Sequence, residues 1–170
     1  VSHCLIMLGN PIDAIKNLQA AIALTPDTAW TYASMASLHP LSAPEKICLI
    51  DRSIQNEPRN AELRAMASTA LQLPERMMWG ARHLRIGFLL QPGHFVIIQH
   101  LSVHYAQTGN VDEALSFNQK CISIQPSSAS SHINLSTLYT QINRAERSWA
   151  HARVAVILAP EKYEAYIALS

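Results

Sequence analysis

The sequence predicts an all-α fold, an array of stacked helix pairs, and three observations carry that prediction. Pro92, Pro126 and Pro160 fall 34 residues apart. Each interval holds two stretches with apolar residues at helical spacing, divided by a turn signal. Small residues then recur in the same columns of successive intervals. A fixed period of this length with two helices per period marks a helical repeat.

The bulk composition agrees. The chain has 170 residues, a formal net charge of +1, 15% charged and 6% aromatic residues, and only five glycines. Scarce aromatics and Gly disfavour a β-rich fold, while abundant Ala, Leu, Ile, Ser and Gln suit helices joined by short turns. A near-neutral balance argues against nucleic acid as a partner, since such affinity comes largely from neutralising phosphates. No apolar run approaches a membrane span. Val1 to Leu8 is too short and lacks the basic leader of a signal peptide. Cys4, Cys48 and Cys121 are odd in number and contain no CxxC pair, so a reducing, cytoplasmic setting is the simpler expectation. The absence of an initial Met and the mid-repeat position of both ends suggest a piece of a longer array.

Taken in order with the Pro columns as register, residues 1–28 form a partial repeat. Its Leu8-Gly9-Asn10-Pro11 run reads as helix stop and start, with Gly9 after one helix, Asn10 capping the next and Pro11 in its first turn. Pro11 to Leu24 carries Ile12, Ile15, Leu18, Ala21 and Ile22 at helical spacing. Residues 29–60 are a short repeat of 32. Helix Ala29 to Leu38 leads to an irregular turn, His39 to Pro44, where a two-residue deletion is placed, and a second helix carries Ile47, Ile50 and Ile54. In repeat 61–94, Asn60 is the expected cap of Ala61 to Leu73. Glu75 to Leu90 follows, with Met77, Met78, Leu84, Phe88 and Leu90 as its apolar set. Repeat 95–128 is the clearest: Gly109 stops one helix, and Asn110 with Glu113 resembles a capping box for the next. Repeat 129–162 has Asn143 in the place of that glycine, the next best residue for a left-handed turn. Residues 163–170 begin a further repeat, and 1–170 is expected to be a single repeat domain.

The small-residue columns are the strongest internal signal. The eighth position of each repeat reads Ser2, Ala36, Ser68, Ser102, Ser136 and Ser170. Position 20 reads Ala14, Lys46, Gly80, Ala114 and Ser148, and position 27 reads Ala21, Ser53, Gly87, Cys121 and Ala155. Small side chains in fixed columns let two helix backbones approach closely. Leu101, Leu135 and Leu169 share a column with Met35 and Ala67, and Tyr105 and Tyr139 share one with Leu5, His39 and Leu71. No single pair can bury its apolar face alone, so neighbours must stack.

On Leu101, Ser102, Tyr105, Gly109, Ala114, Cys121 and Pro126, and on Leu135, Ser136, Tyr139, Ser148, Ala155 and Pro160, the chain resembles the tetratricopeptide repeat family along its whole length. It departs from the family where Ile98 and His132 replace a first-helix aromatic, and where Lys46 replaces a small residue. The resemblance implies a right-handed superhelical solenoid of antiparallel helix pairs, with a concave groove lined by first helices.

No constellation of catalytic residues is present, and neither a metal site nor a cofactor is expected. His100 and His104 share one side of a helix at a spacing that can bind metal, but no Glu or Cys adjoins them, so packing or surface roles are simpler. Cys121 sits in a small-residue column and reads as a buried, inert thiol. Arg59, Arg64, Arg76, Arg82 and Arg85, interleaved with Glu62 and Glu75, read as a solvated outer face, with an acidic-partner patch as the alternative. Met66, Met77, Met78, Trp79 and Trp30 suit an adaptable binding surface, although Met77 and Met78 read more simply as core.

If the family geometry holds, positions two, five, six and nine of each first helix line the groove. The candidates are Trp30, Ser34 and Ser37, then Glu62, Met66 and Thr69, then Gln99, His100 and Val103, and finally Ile133, Asn134 and Thr137, with Ala33, Ala65, Val96 and Ser130 beside them. This surface is neutral and mixed. It lacks the Lys and Arg with which chaperone-tail binders in the family hold a terminal carboxylate. Of the position-six asparagine ladder of O-GlcNAc transferase arrays, it keeps only Asn134. The expected function is a protein-interaction scaffold that binds a peptide or partner protein in the groove. The alternatives are a substrate-presenting arm of a larger enzyme, such as an O-GlcNAc transferase-like glycosyltransferase, and a homo-oligomer assembling through open repeat ends. The columns also predict that Ala114→Leu or Gly87→Leu overpacks a helix contact and costs about 1–3 kcal/mol, whereas Arg82→Ala is nearly neutral; denaturant melts of the three variants check the ranking.

Overall fold

The computed structural model describes residues 11–37, 41–69 and 77–168. Those residues are helical with short turns, and no strand occurs among them. Ten helices follow in order among the described residues: α1 Pro11–Leu24, α2 Ala29–Ala36, α3 Ala43–Asn56, α4 Ala61–Thr69, α5 Met77–Leu90, α6 Phe95–Gln107, α7 Val111–Ile124, α8 Ala129–Gln141, α9 Ala145–Leu158 and α10 Tyr163–Ile167. The chain forms two compact units, Val1–Gln91 and Pro92–Ser170. In the first, α2 pairs with α3 and α4 with α5; in the second, α6 pairs with α7 and α8 with α9. The expected Gly9 stop and Asn10 cap lie outside the described residues.

Helix starts reproduce the period and locate the deletion. Second helices begin at Ala43, Met77, Val111 and Ala145, each 34 residues after the last. Ala29 precedes Ala43 by only 14 residues, against 16 from Phe95 to Val111 and from Ala129 to Ala145. The two missing residues therefore fall between Ala29 and Ala43; His39 and Pro40 of the expected turn lie outside the described residues.

Within a pair the helices run antiparallel. His132 meets His151 while Ser136 meets Ser148, one index rising as the other falls. The two small columns face each other at this contact. Ser102 Oγ donates to Ala114 O at 3.1 Å, and Ser136 Oγ lies 2.9 Å from Ser148 Oγ. A Cβ on Gly80 would stand 3.2 Å from the Ser68 Cα, a distance that only a shift of backbone would relieve. The third column is buried as well: Ser53, Cys121 and Ala155 are almost fully covered, and Ser53 Oγ donates to Ala29 O at 2.8 Å. Buried hydroxyls are tolerated here because each finds a partner across the contact.

Turn chemistry is partly as expected. Gly109 has φ +78° and Asn143 has φ +56°, the left-handed conformation that ends α6 and α8. Asn110 N then donates to Tyr105 O at 2.9 Å and Arg144 N to Tyr139 O at 2.8 Å, which closes each helix end in the same way. Asn60 Oδ1 accepts from Glu62 N and Leu63 N at 3.0 and 3.2 Å, capping α4. The capping box expected of Asn110 and Glu113 is absent. Asn110 makes no cap bond, and its Nδ2 turns back to Thr108 Oγ1 at 3.1 Å, a local competitor for the amide. The box-like pair stands instead at α3, where Ser42 N and Oγ both donate to Glu45 Oε2, at 2.7 and 2.6 Å.

Two further expectations are corrected. Arg64 does not belong to a solvated face: it is only 9% exposed, and its Nε and Nη2 donate to Pro58 O at 3.2 and 2.7 Å. Its long side chain reaches back over the turn to an otherwise open carbonyl. Arg59, Arg82 and Arg85 are exposed as expected, and Arg76 lies outside the described residues. Met78 is not core but 85% exposed, and Leu90 is 41% exposed. The side chain of Met77 lies outside the described residues. Trp79 is half-buried against the core of the first unit, among Ala33, Ile50, Ile54, Leu63 and Ala67.

One buried residue breaks its column. Position 24 holds Leu18, Ile50, Leu84 and Ala152, all buried, and also Asn118, fully buried with no partner for Nδ2 or Oδ1. An orphaned amide costs about 1–3 kcal/mol. Asn118→Leu, the residue its column carries in α1 and α5, is expected to raise stability by that order in a urea melt.

Candidate functional site

Helical geometry puts positions two, five, six and nine on one side of a first helix, away from the small column at position eight. The first helices are neighbours within each unit: α2 touches α4, and α6 touches α8. In the first unit, Trp30 is 40% exposed, Ser34 is half-buried, and Ser37 and Glu62 are exposed. Met66 is half-buried against the core, so it belongs as much to packing as to the face. The Thr69 side chain lies outside the described residues. In the second unit, Gln99 Nε2 donates to Ser130 Oγ at 2.8 Å, a direct link between the faces of α6 and α8. His100, Ile133 and Asn134 are half-buried, Thr137 is exposed and Val103 is 38% exposed. Burial holds the His100 imidazole below the usual histidine range, so this surface presents it neutral at pH 7. Of the candidates, only Glu62 carries a fixed charge.

In the second unit the face offers apolar contact from Val103 and Ile133 beside the amides of Gln99 and Asn134 and the hydroxyls of Ser130 and Thr137; in the first unit Trp30 stands with Ser34 and Ser37. Such a surface suits an extended peptide, whose backbone needs donors and acceptors at intervals and whose side chains need apolar ground. It offers no positively charged clamp for an anion. A shallow depression of about 620 Å³ lies elsewhere, lined by Pro44, Ile47, Cys48, Asp51, Arg52 and Gln55 of α3, and shares no residue with the face. Among the described residues no group of three or more His, Cys, Asp or Glu side chains converges to hold a metal ion, and no helix is long and apolar enough to cross a membrane.

Sequence reasoning missed a second, buried set of polar residues. The fourth position of a first helix and position 23 of its partner meet in both repeats 61–94 and 129–162. Arg64 Nη1 lies 3.3 Å from His83 Nδ1, and His132 Nδ1 lies 3.0 Å from His151 Nδ1. The carbonyl of the preceding turn accepts in both cases: Pro58 O from Arg64 and Pro126 O from His132 Nε2, at 3.1 Å. The signal was present as identical 19-residue spacings, Arg64 to His83 and His132 to His151, but neither residue type marks a core position.

No family model matches the sequence, and no curated protein matches it. Solved structures do match. The crystal structure of MamA superposes with a TM-score of 0.78 at 14% identity, covering 95% of each chain. YrrB, described as a tetratricopeptide repeat protein with an unusual peptide-binding site, gives 0.73 at 18% identity over 98% of this chain and 87% of its own. TTC0263, a tetratricopeptide repeat protein of Thermus thermophilus, gives 0.67 at 17% over 98% and 92%. The fold is therefore that of tetratricopeptide repeat proteins, as the residues of repeats 95–128 and 129–162 implied.

Cysteine chemistry follows the packing. Cys121 is fully buried and Cys48 is exposed, and burial pushes the Cys121 thiol up to about 11. Alkylation of the native protein at pH 8, read by peptide mass mapping, is expected to label Cys48 and spare Cys121 until denaturant is added.

Proposed function

We propose that this tetratricopeptide-type fold is a protein-interaction scaffold without catalytic activity, and that it takes a peptide or a segment of a partner protein on its first-helix face. The observation that carries the reading is the pairing of the adjacent first helices α6 and α8 in the second unit, with the Gln99–Ser130 bond between them and Val103 left 38% exposed beside it. The similarity to YrrB, whose description includes a peptide-binding site, supports the class of ligand without naming one. The neutral face favours a segment bound through its backbone and apolar side chains over an acidic tail or a terminal carboxylate. The free thiols of Cys48 and Cys121 fit a cytoplasmic setting.

The test is a peptide selected on the purified protein from a random phage-displayed library, then measured by fluorescence polarisation. Val103→Asp and Ile133→Asp are expected to weaken it by at least about tenfold, or 1.4 kcal/mol, with the melting temperature kept within a few degrees, while Arg82→Ala leaves it unchanged. Selected peptides that bind both Asp variants at full affinity would place the site away from α6 and α8.

A further inference from the structure

Two of the buried contacts between paired helices contain an imidazole that limits how much positive charge they hold. Arg64 is a permanent cation and can only donate. Its Nη1–H therefore requires an unprotonated Nδ1 on His83, 3.3 Å away, which fixes His83 as the Nε2–H tautomer. A protonated His83 would set N–H against N–H beside a guanidinium. In the second contact, Pro126 O needs the His132 Nε2–H. The Nδ1 of a neutral His132 is then an acceptor, and His151 Nδ1–H donates to it across 3.0 Å. One further proton can be placed on the outer Nε2 of His151 without disturbing that bond. A second puts two N–H groups face to face in the same gap.

We propose that these two contacts are acid-labile latches: the α4–α5 pair loosens when His83 is protonated, and the α8–α9 pair loosens when His132 and His151 are both charged. The intervening α6–α7 pair carries Ile98 and Phe117 at the same two positions and has no such latch. The surroundings agree with this order. His83 is held below the ordinary histidine value of 6.5 by burial, then by Arg64 from α4 and Arg82 from α5, against a raising effect of Asp51 from α3. His151 is held below 6.5 by burial, then by His132 from α8 and Arg147 from α9. Tyr139 stacks on its ring with centroids 5.6 Å apart, and α10 contributes the buried apolar Ala165. From α7, the buried Cys121 thiol stays neutral throughout.

The sign follows from linkage. An imidazole whose folded value is depressed binds fewer protons in the closed helix pair than in the opened one. Stability is then fully present above pH 6.5 and is lost as pH falls below it, by about tenfold in the opening equilibrium per pH unit for His83. The first proton of the His132–His151 pair enters the depressed His151 and costs α8–α9 some stability, but it leaves the ring-to-ring bond in place; only a second proton breaks that bond, so the α8–α9 latch opens at lower pH than that of α4–α5. Because α4 and α8 also carry Glu62, Met66, Ile133 and Asn134, acid would loosen the proposed binding face too. That consequence rests on the peptide-binding reading, whereas helix opening is measured with no ligand present.

The experiment is amide hydrogen exchange on the whole chain between pH 7.5 and 5, corrected for intrinsic rates, with imidazole tautomers read by long-range nitrogen–proton correlation. At pH 7.5, Nε2–H is expected on His83 and His132 and Nδ1–H on His151. Protection should fall first in α4–α5, then in α8–α9, with α6–α7 least affected. The double variant His132→Ile with His151→Phe, carrying the residues of the middle repeat, should lose the acid response of α8–α9 and keep that of α4–α5. The proposal is overturned if His83 takes up its proton near pH 6.5 with protection intact, or if α8–α9 responds equally in the double variant. Should that variant fail to fold, Nδ1–H tautomers on His83 or His132 in the unaltered protein would overturn it alone.

Discussion

Everything in this molecule depends on how closely two helix backbones approach at the eighth and twentieth positions of a repeat. Ser68 against Gly80, Ser102 against Ala114 and Ser136 against Ser148 are the same contact made three times. Closeness here fixes the crossing of each pair, and the crossing decides which other positions turn inward. The interior that results is made of small side chains: Ala14, Ala29, Ala33, Ala36, Ala67, Ala152 and Ala155 are all nearly or fully buried. Each such residue removes little apolar surface from water. A hairpin of this kind therefore adds to its own contact the burial supplied by the hairpin stacked on it, as α7 against α8 and α3 against α4. Serine serves in the close column because its hydroxyl bonds across the contact, Ser102 to Ala114 O and Ser136 with Ser148 Oγ. The column is therefore a seam of short hydrogen bonds as well as a steric allowance.

That seam explains what could be read from the sequence. Spacing is a property of the chain itself, so the period, the helix starts and the place of the two-residue deletion were visible. So were the turns that demand a left-handed residue, Gly109 and Asn143. What escaped were side-chain orientations set by the turn. Asn110 donates from Nδ2 to Thr108 Oγ1, and in that orientation its Oδ1 does not accept from the α7 amides. Arg64 escaped for a different reason. Its charge suggested water, but its stem is long enough to bury while the head satisfies Pro58 O. Of the candidate face, sequence supplied the helix side and the neutral character. It did not supply the Gln99–Ser130 bond, which joins side chains 31 residues apart and requires the actual packing of α6 on α8.

The first helices separate two duties by position. Positions four and eight turn inward and hold the pair together; positions two, six and nine turn toward the face, and position five does so at Gln99 and Ile133 but is buried at Ala33 and Ala65. His132 and Ile133 are chain neighbours, yet one is buried on Pro126 O and His151 while the other is half-buried on the candidate face. A side chain on the face can thus change with little cost to folding, which is the freedom a family of interaction scaffolds needs. The separation is incomplete at Met66, which packs on the core of the first unit. Substitutions there act on stability and recognition together, so Val103 and Ile133 are the cleaner reporters of binding.

Asn118 marks the limit of this logic. Its column is apolar in every other repeat described, and nothing in its surroundings bonds its amide. An interior built from close small contacts has no slack in which a misplaced polar group can turn toward water. The cost therefore stays in the native state, in the same α7 helix that contributes Cys121 to the seam and faces α8. A repeat destabilised in this way opens more readily than its neighbours. The second unit thus combines one hairpin weakened by an orphaned amide with another whose contact depends on the protonation of two imidazoles. Asn118, His132 and His151 all lie off the eighth and twentieth positions, so the polar groups that weaken these hairpins are separate from the small-residue seam.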